Sequence, residues 1–235
     1  MATQLIAGAK RAQKEALASA PPAFWEDAKR QLSARDPILA RIIREHAISH
    51  PLAHLVSRGD CFATLARSIV GQQISVKAAD SIWKRLVDRC PEFTPVAVAR
   101  RRHTTLRACG LSERKAEYLR DLARHFADGR VDPAAIALQS DDEIVEVLTD
   151  IRGIGRWTAE MFLIFNLLRP DVYPVDDLGL VKAVSRFYFD GEPCETLMRG
   201  NGRKKLEKLG ARWAPYRSVA TWYLWRSLDP VPVEY

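Results

Sequence analysis

Apolar residues along this chain recur at three- and four-residue spacing and only rarely alternate, which is the helical period rather than the strand period. Asp60 precedes a stretch whose Phe62, Leu65, Ile69 and Val70 fall on one helical face. Ser75 is placed to cap a following helix carrying Val76, Ala79, Ile82, Trp83, Leu86 and Val87, which Cys90–Pro91 stops. Ser112 opens another, with Ala116, Leu119, Leu122, Ala123 and Phe126 on its buried face and Gly129 at its end. Asp132–Pro133 starts a short helix with proline at its first position. The same reading predicts helices over 141–149, 155–168, 177–189, about 203–211 and 215–228. Strand signals are nearly absent, and Val231–Val233 is interrupted by a proline. The pattern predicts an all-α fold of about ten helices, with no internal repeat and a single break at Ala20–Pro21–Pro22. Residues 1–235 are expected to form one unit of two helical lobes.

Charge adds a direction to this picture. Thirty-six Lys and Arg against 29 Asp and Glu give a formal charge of +7 and a pI near 9.4. A phosphate-binding protein needs such an excess, although many basic proteins never meet a nucleic acid. Cys61, Cys90, Cys109 and Cys194 show no C-x-x-C spacing, which argues against zinc or iron–sulfur sites and for free thiols in a reducing compartment. No apolar run approaches the roughly 20 residues that span a bilayer, and the N-terminal segment lacks the apolar core of a signal peptide. An intracellular protein without membrane contact is expected, with the first twenty residues as a weakly helical lead-in.

The most informative segment is 144–166, IVEVLTDIRGIGRWTAEMFLIFN. One helix should end near Thr149, a tight turn should read Ile151-Arg152-Gly153-Ile154-Gly155, and a second helix should begin at Arg156. Gly153 and Gly155 tolerate backbone angles closed to other residues and put no side chain before an approaching phosphate. The first N–H groups of the second helix lack intrahelical partners and form an anion site with the helix dipole. Ile154 would plug the gap between the helices, with Leu148, Thr158 and Ala159 packing around it. This is a helix-hairpin-helix, a device that grips phosphate without reading sequence. A plain helix–helix turn would also suit two glycines.

Three further blocks stand around the hairpin: Ile69-Val-Gly71-Gln72-Gln73-Ile74-Ser75, Asp171-Val-Tyr-Pro-Val-Asp176-Asp177-Leu-Gly, and Arg212-Trp213-Ala-Pro-Tyr-Arg217-Ser218 followed by Trp222 and Trp225. In this order, over roughly residues 50 to 228, they resemble the 3-methyladenine DNA glycosylase II (AlkA-type) branch of the helix-hairpin-helix, Gly/Pro-rich loop, Asp superfamily. The chain is similar to its compact all-helical members, without a separate N-terminal β-domain.

The resemblance implies an enzyme of base excision repair that flips an alkylated base, such as 3-methyladenine or 7-methylguanine, out of double-stranded DNA. It then hydrolyses the N-glycosidic bond in a cleft between the two lobes, as a monomer. Asp177 is the implied catalytic carboxylate, facing the positive charge that develops on the sugar. A helix-capping role is the ordinary alternative for either aspartate, and Asp176 suits it. Relatives that also cleave the strand carry a lysine where this chain has Trp157, so a Schiff base has no amine to form on and excision should stop at the abasic site. Trp157 and Trp225 would wall the base pocket, where an aromatic face suits a cationic purine. Gln72, Gln73, Gly153, Ile154, Gly155 and Arg156 are the implied DNA contacts. Gln73 stands where the best-known pattern has leucine, so the hole left by flipping would be filled by an amide. No cofactor is required, but the backbone carbonyls of Thr149, Ile151 and Gly153 could hold a monovalent cation at the hairpin. A cellular address in the cytoplasm or nucleoid, or a nucleus, follows from the substrate. Two other readings stay open: a non-catalytic DNA-binding protein, which would not need Asp177, and a bifunctional lyase, which Trp157 opposes.

Overall fold

The computed structural model describes residues 20–228, and every regular element among them is a helix. In chain order these are α1 (Trp25–Arg35), α2 (Pro37–Ser49), α3 (Cys61–Gly71), α4 (Val76–Arg89), α5 (Pro95–Ala99), α6 (His103–Arg107) and α7 (Glu113–Ala127). There follow α8 (Pro133–Ile136), α9 (Asp141–Thr149), α10 (Arg156–Phe165), α11 (Leu178–Tyr188), α12 (Cys194–Leu197), α13 (Gly200–Ala211) and α14 (Arg217–Leu228). The expected all-α class is therefore found, with more helices than the ten expected. The surplus includes the short α5, α6 and α12, and also α1 and α2, whose mixed composition hid their period. The N-terminal lead-in and Val231–Val233 lie outside the described residues.

The helix starts are set by side-chain caps. Asp60 accepts from the backbone of Ala63 at 2.6 Å, Ser75 from Ala78 at 3.3 Å and Ser112 from Lys115 at 3.3 Å. At α9, Ser140 and Glu143 cap each other's backbone in a capping box.

The chain divides into two compact units. One is continuous, residues 58–166, and carries α3 to α10. Its core joins Phe62, Leu65 and Ile69 of α3 to Leu119 and Leu122 of α7 and to Ile144 and Leu148 of α9, all buried. Phe62 lies between Phe93, which it meets at a tilt, and Phe126, which it meets edge-on, each with ring centroids 5.5 Å away. On α4 only Leu86 is fully enclosed, so Ile82 and Trp83 belong to the margin of the core and not to its centre. The two ends of the unit are bonded together. Arg58 N–H donates to the Phe165 carbonyl at 2.9 Å, Asn166 Nδ2 donates to the Gly59 carbonyl at 2.9 Å, and the Cys61 thiol donates to Asn166 Oδ1 at 3.1 Å.

The other unit is discontinuous. It joins α1 and α2 to α11–α14, with the whole of the first unit inserted between them in sequence. Asp36, 2% exposed, is the polar centre that ties the halves together. Its Oδ1 caps α2, accepting from Ile38 and Leu39, and its Oδ2 accepts from Tyr188 Oη and Trp213 Nε1, each at 3.0 Å. Nearby, Trp25 stacks on Tyr223 and meets Trp222 edge-on, and the His46 ring joins them. Burial, with His50 and Arg226 beside it, draws the pKa of His46 down to about 4, so this ring packs uncharged. The four cysteines are free thiols, Cys90 and Cys109 buried, Cys61 and Cys194 half-buried.

Candidate functional site

Each unit carries some of the residues singled out in the sequence. In the continuous unit the hairpin is formed as expected, with α9 ending at Thr149 and α10 starting at Arg156. Ile151, Ile154, Leu148, Thr158 and Ala159 are all buried where the two helices meet, so Ile154 is the plug between them. The two glycines are not equivalent. Gly153 lies at φ +87°, and a Cβ there would meet the Tyr118 ring at 2.2 Å, so this position needs glycine twice over. Gly155 sits at φ −95° with nothing near its Cβ position, so its backbone angle is open to any residue. It caps α10 without a side chain, which leaves the first-turn N–H groups facing outward with the positive end of the helix dipole.

The hairpin is braced from α7, a support that no local sequence signal announces. Asp121 Oδ2 accepts from Arg152 N–H at 2.9 Å, Glu117 pairs with the Arg152 guanidinium at 3.1 Å, and Tyr118 lies under Gly153. Arg156 is exposed, with its Nε on Glu160 at 3.1 Å. Trp157 is half-buried in the first turn of α10.

The turn between α3 and α4 separates the two glutamines. Gln72 Nε2 donates to the Gly153 carbonyl at 2.8 Å, so its amide is spent inside the unit, holding the turn to the hairpin. Gln73 is exposed and takes φ +58°, a left-handed conformation that costs a residue with a side chain about 1 kcal/mol. Ile74 and Val76 beside it are exposed apolar residues, at 38% and 46%. The tip of this turn thus offers one amide flanked by apolar surface.

In the discontinuous unit Asp177 and Trp225 come together. Asp177 is the N-cap of α11, its Oδ1 accepting from Leu180 N–H at 2.6 Å, and Trp225 Nε1 donates to the same oxygen at 2.7 Å. The negative charge thus sits at the favourable end of the α11 dipole. Gly179 leaves the room for this pair, since a Cβ there would stand 3.1 Å from Asp177 Oδ1 and 3.2 Å from the indole of Trp225. The capping role that suited Asp176 falls to Asp177 instead. Asp176 is exposed and held by an ion pair to Arg203. The loop leading to Asp177 is fixed by the Arg212–Ser218 block. Arg217 grips Asp171 with Nε and Nη2 at 2.8 and 2.9 Å, and Ser218 Oγ accepts from Val172 N–H at 2.9 Å while donating to the Arg169 carbonyl at 2.6 Å.

A family model described as the HhH-GPD superfamily of base excision DNA repair proteins matches residues 66–209. The DNA-3-methyladenine glycosylase 1 of Schizosaccharomyces pombe is 34% identical over 170 residues, 71% of this chain and 72% of that protein. Among solved structures, a DNA-3-methyladenine glycosidase from Bacillus halodurans superposes with a TM-score of 0.73 at 35% identity, covering 86% of this chain and 89% of its own. The S. pombe 3-methyladenine DNA glycosylase Mag1, solved with abasic DNA, gives 0.70 at 29% identity over 88% of this chain and 100% of its own. The chain spans between 66% and 72% of the length of three curated relatives it matches.

Proposed function

Since the chain belongs to the HhH-GPD superfamily of base excision DNA repair proteins, we propose that it is a monofunctional DNA glycosylase releasing alkylated bases such as 3-methyladenine and 7-methylguanine. The observation that carries this reading is the Asp177 carboxylate, capped onto α11 and fixed by Trp225. Breaking an N-glycosidic bond leaves positive charge on the sugar, and a carboxylate already held by fixed donors need not reorganise to stabilise it. On this reading the hairpin takes phosphate on the N-terminal turn of α10, and Gln73 enters the duplex where the base leaves it. Trp225, beside Asp177, takes one face of the flipped base, and water adds to the sugar carbon as the base departs. The protein acts as an intracellular monomer on damaged duplex DNA. No helix among the described residues is long and apolar enough to cross a membrane.

The hairpin carbonyls fit a monovalent cation in one respect. Ile151 and Gly153 carbonyls each accept one hydrogen bond, from Ile154 N–H at 3.0 Å and from Gln72, and a carbonyl has two lone pairs. Thr149, Ile151 and Gly153 would hold such an ion, which would add positive charge facing a phosphate.

Duplex DNA carrying 7-methylguanine or 3-methyladenine tests the activity directly. Free base and an abasic strand are expected, and borohydride added during turnover should trap no protein–DNA adduct, because residue 157 offers no amine. A borohydride-dependent covalent band would overturn the monofunctional assignment, and absence of released base would overturn the glycosylase.

The glycines separate grip from fold. Gly153→Ala, strained at φ +87° and pressed on Tyr118, should lower the melting temperature and weaken duplex binding about tenfold whatever the sequence. Gly155→Ala should melt like the parent, so any affinity it loses reflects approach to phosphate alone. Equal duplex affinity in a folded Gly153→Ala protein would remove the hairpin from the binding surface.

A further inference from the structure

The turn that carries Gln73 is built on a half-buried cation. Lys115, on α7, extends its ammonium beneath the end of α3 and donates to the carbonyls of Val70 at 2.8 Å and Gln72 at 2.5 Å. Burial lowers its pKa, which is the cost of withdrawing an ammonium from water, and the carbonyls at the negative end of the α3 dipole are what offset it. The two acceptors bracket Gly71 and lie immediately before Gln73, the residue at φ +58°. From the other side, the Gln72 amide ties the same turn to the Gly153 carbonyl of the hairpin. A residue with a side chain stays in a left-handed conformation only where its surroundings dictate it. Here the surroundings are Lys115 below and Gln72 alongside.

We propose that Lys115 is a positioning residue for base extrusion, holding the Gly71–Gln73 turn so that Gln73 is presented, already ordered, to the duplex. This rests on the glycosylase reading and on Gln73 as the inserted side chain. Two consequences distinguish it from a merely structural lysine. The first is that removing the ammonium should spare the affinity for undamaged duplex, since the grip on phosphate belongs to the α10 terminus and its brace of Asp121 and Tyr118. The second is that its effect should run through Gln73 and vanish when that side chain is already gone.

The test compares Lys115→Met, Lys115→Arg, Gln73→Ala and the Lys115→Met/Gln73→Ala double variant in the full chain. Extrusion is read from the fluorescence of 2-aminopurine placed next to a tight-binding abasic-site analogue, and excision from single-turnover release of hypoxanthine. Lys115→Met should lose about tenfold in both readouts while binding undamaged duplex within about twofold of the parent. Lys115→Arg, which keeps donors for the carbonyls, should recover most of the loss. In the Gln73→Ala background, Lys115→Met should add nothing. Parental extrusion in Lys115→Met would overturn the proposal, as would losses that multiply in the double variant. If Lys115→Met does not fold, Lys115→Arg against Lys115→Gln gives the same comparison, and equal extrusion by both overturns it. The fluorescence does not depend on bond cleavage. A parent that extrudes without excising would therefore defeat the glycosylase reading and leave this one to be judged on its own signal.

Discussion

Replacing Asp177 with asparagine should lower single-turnover base release by a hundredfold or more while leaving the protein folded and able to bind lesion-containing duplex. Asparagine caps helices about as well as aspartate and still offers an oxygen to Trp225 Nε1, so the two hydrogen bonds on Oδ1 have a successor. What goes is the negative charge, whose interaction with a cationic sugar is commonly worth on the order of 3 kcal/mol. Cationic bases such as 7-methylguanine should suffer least, because their own charge already weakens the bond, and a neutral base such as hypoxanthine should suffer most. Asp176→Asn is the control. It breaks an exposed ion pair with Arg203 and should change excision little. Loss of excision in Asp176→Asn with activity intact in Asp177→Asn would assign the wrong carboxylate. Full activity in both would leave the protein without its catalytic group.

The second large effect concerns stability. Asp36→Ala should destabilise the discontinuous unit by about 4 kcal/mol, adding a lost helix cap of about 1 kcal/mol to a buried donor, Trp213 Nε1, and a half-buried one, Tyr188 Oη, left unpaired at about 1–3 kcal/mol each. Four of the six tryptophans, Trp25, Trp213, Trp222 and Trp225, belong to this unit, so denaturation followed by tryptophan fluorescence reports mainly on it. Asp60→Ala supplies the comparison, since Asp60 is an exposed cap with one backbone partner and should cost about 1 kcal/mol. Equal losses in the two variants would show that the Asp36 cluster contributes no more than its cap.

These residues mark where the sequence could and could not be read. The hairpin was legible because its parts are neighbours: the end of one helix near Thr149, two glycines, the isoleucine between them and a second helix starting at Arg156 all lie within one short segment. The same holds for the caps at Asp60, Ser75 and Ser112, each set by a side chain reaching its own helix. The supports beneath the hairpin and beneath the α3–α4 turn were not legible, because Glu117, Tyr118 and Asp121 for the one and Lys115 for the other read locally as the outer face of an ordinary amphipathic helix. Only folding brings Lys115 to a carbonyl 45 positions away. The division of labour between the paired aspartates was likewise hidden, since Arg203, which claims Asp176, lies 27 residues on. The sequence alone does not tell the two hairpin glycines apart, because residue type reports permission and not use. Only Gly153 uses the left-handed region.

The insertion of one unit within the other also orders events during synthesis. Residues 58–166, which carry both partners of the hydrogen bonds that join that unit's ends, are synthesised before the segment from Leu167 onward. The helices around Asp36 emerge first and meet their partners last, Tyr188 being 152 positions away and Trp213 177. For that interval the apolar faces of Trp25, Leu39, Ile42 and Ile43 lack the C-terminal helix α14 they pack against, so α1 and α2 wait through the whole of the inserted unit.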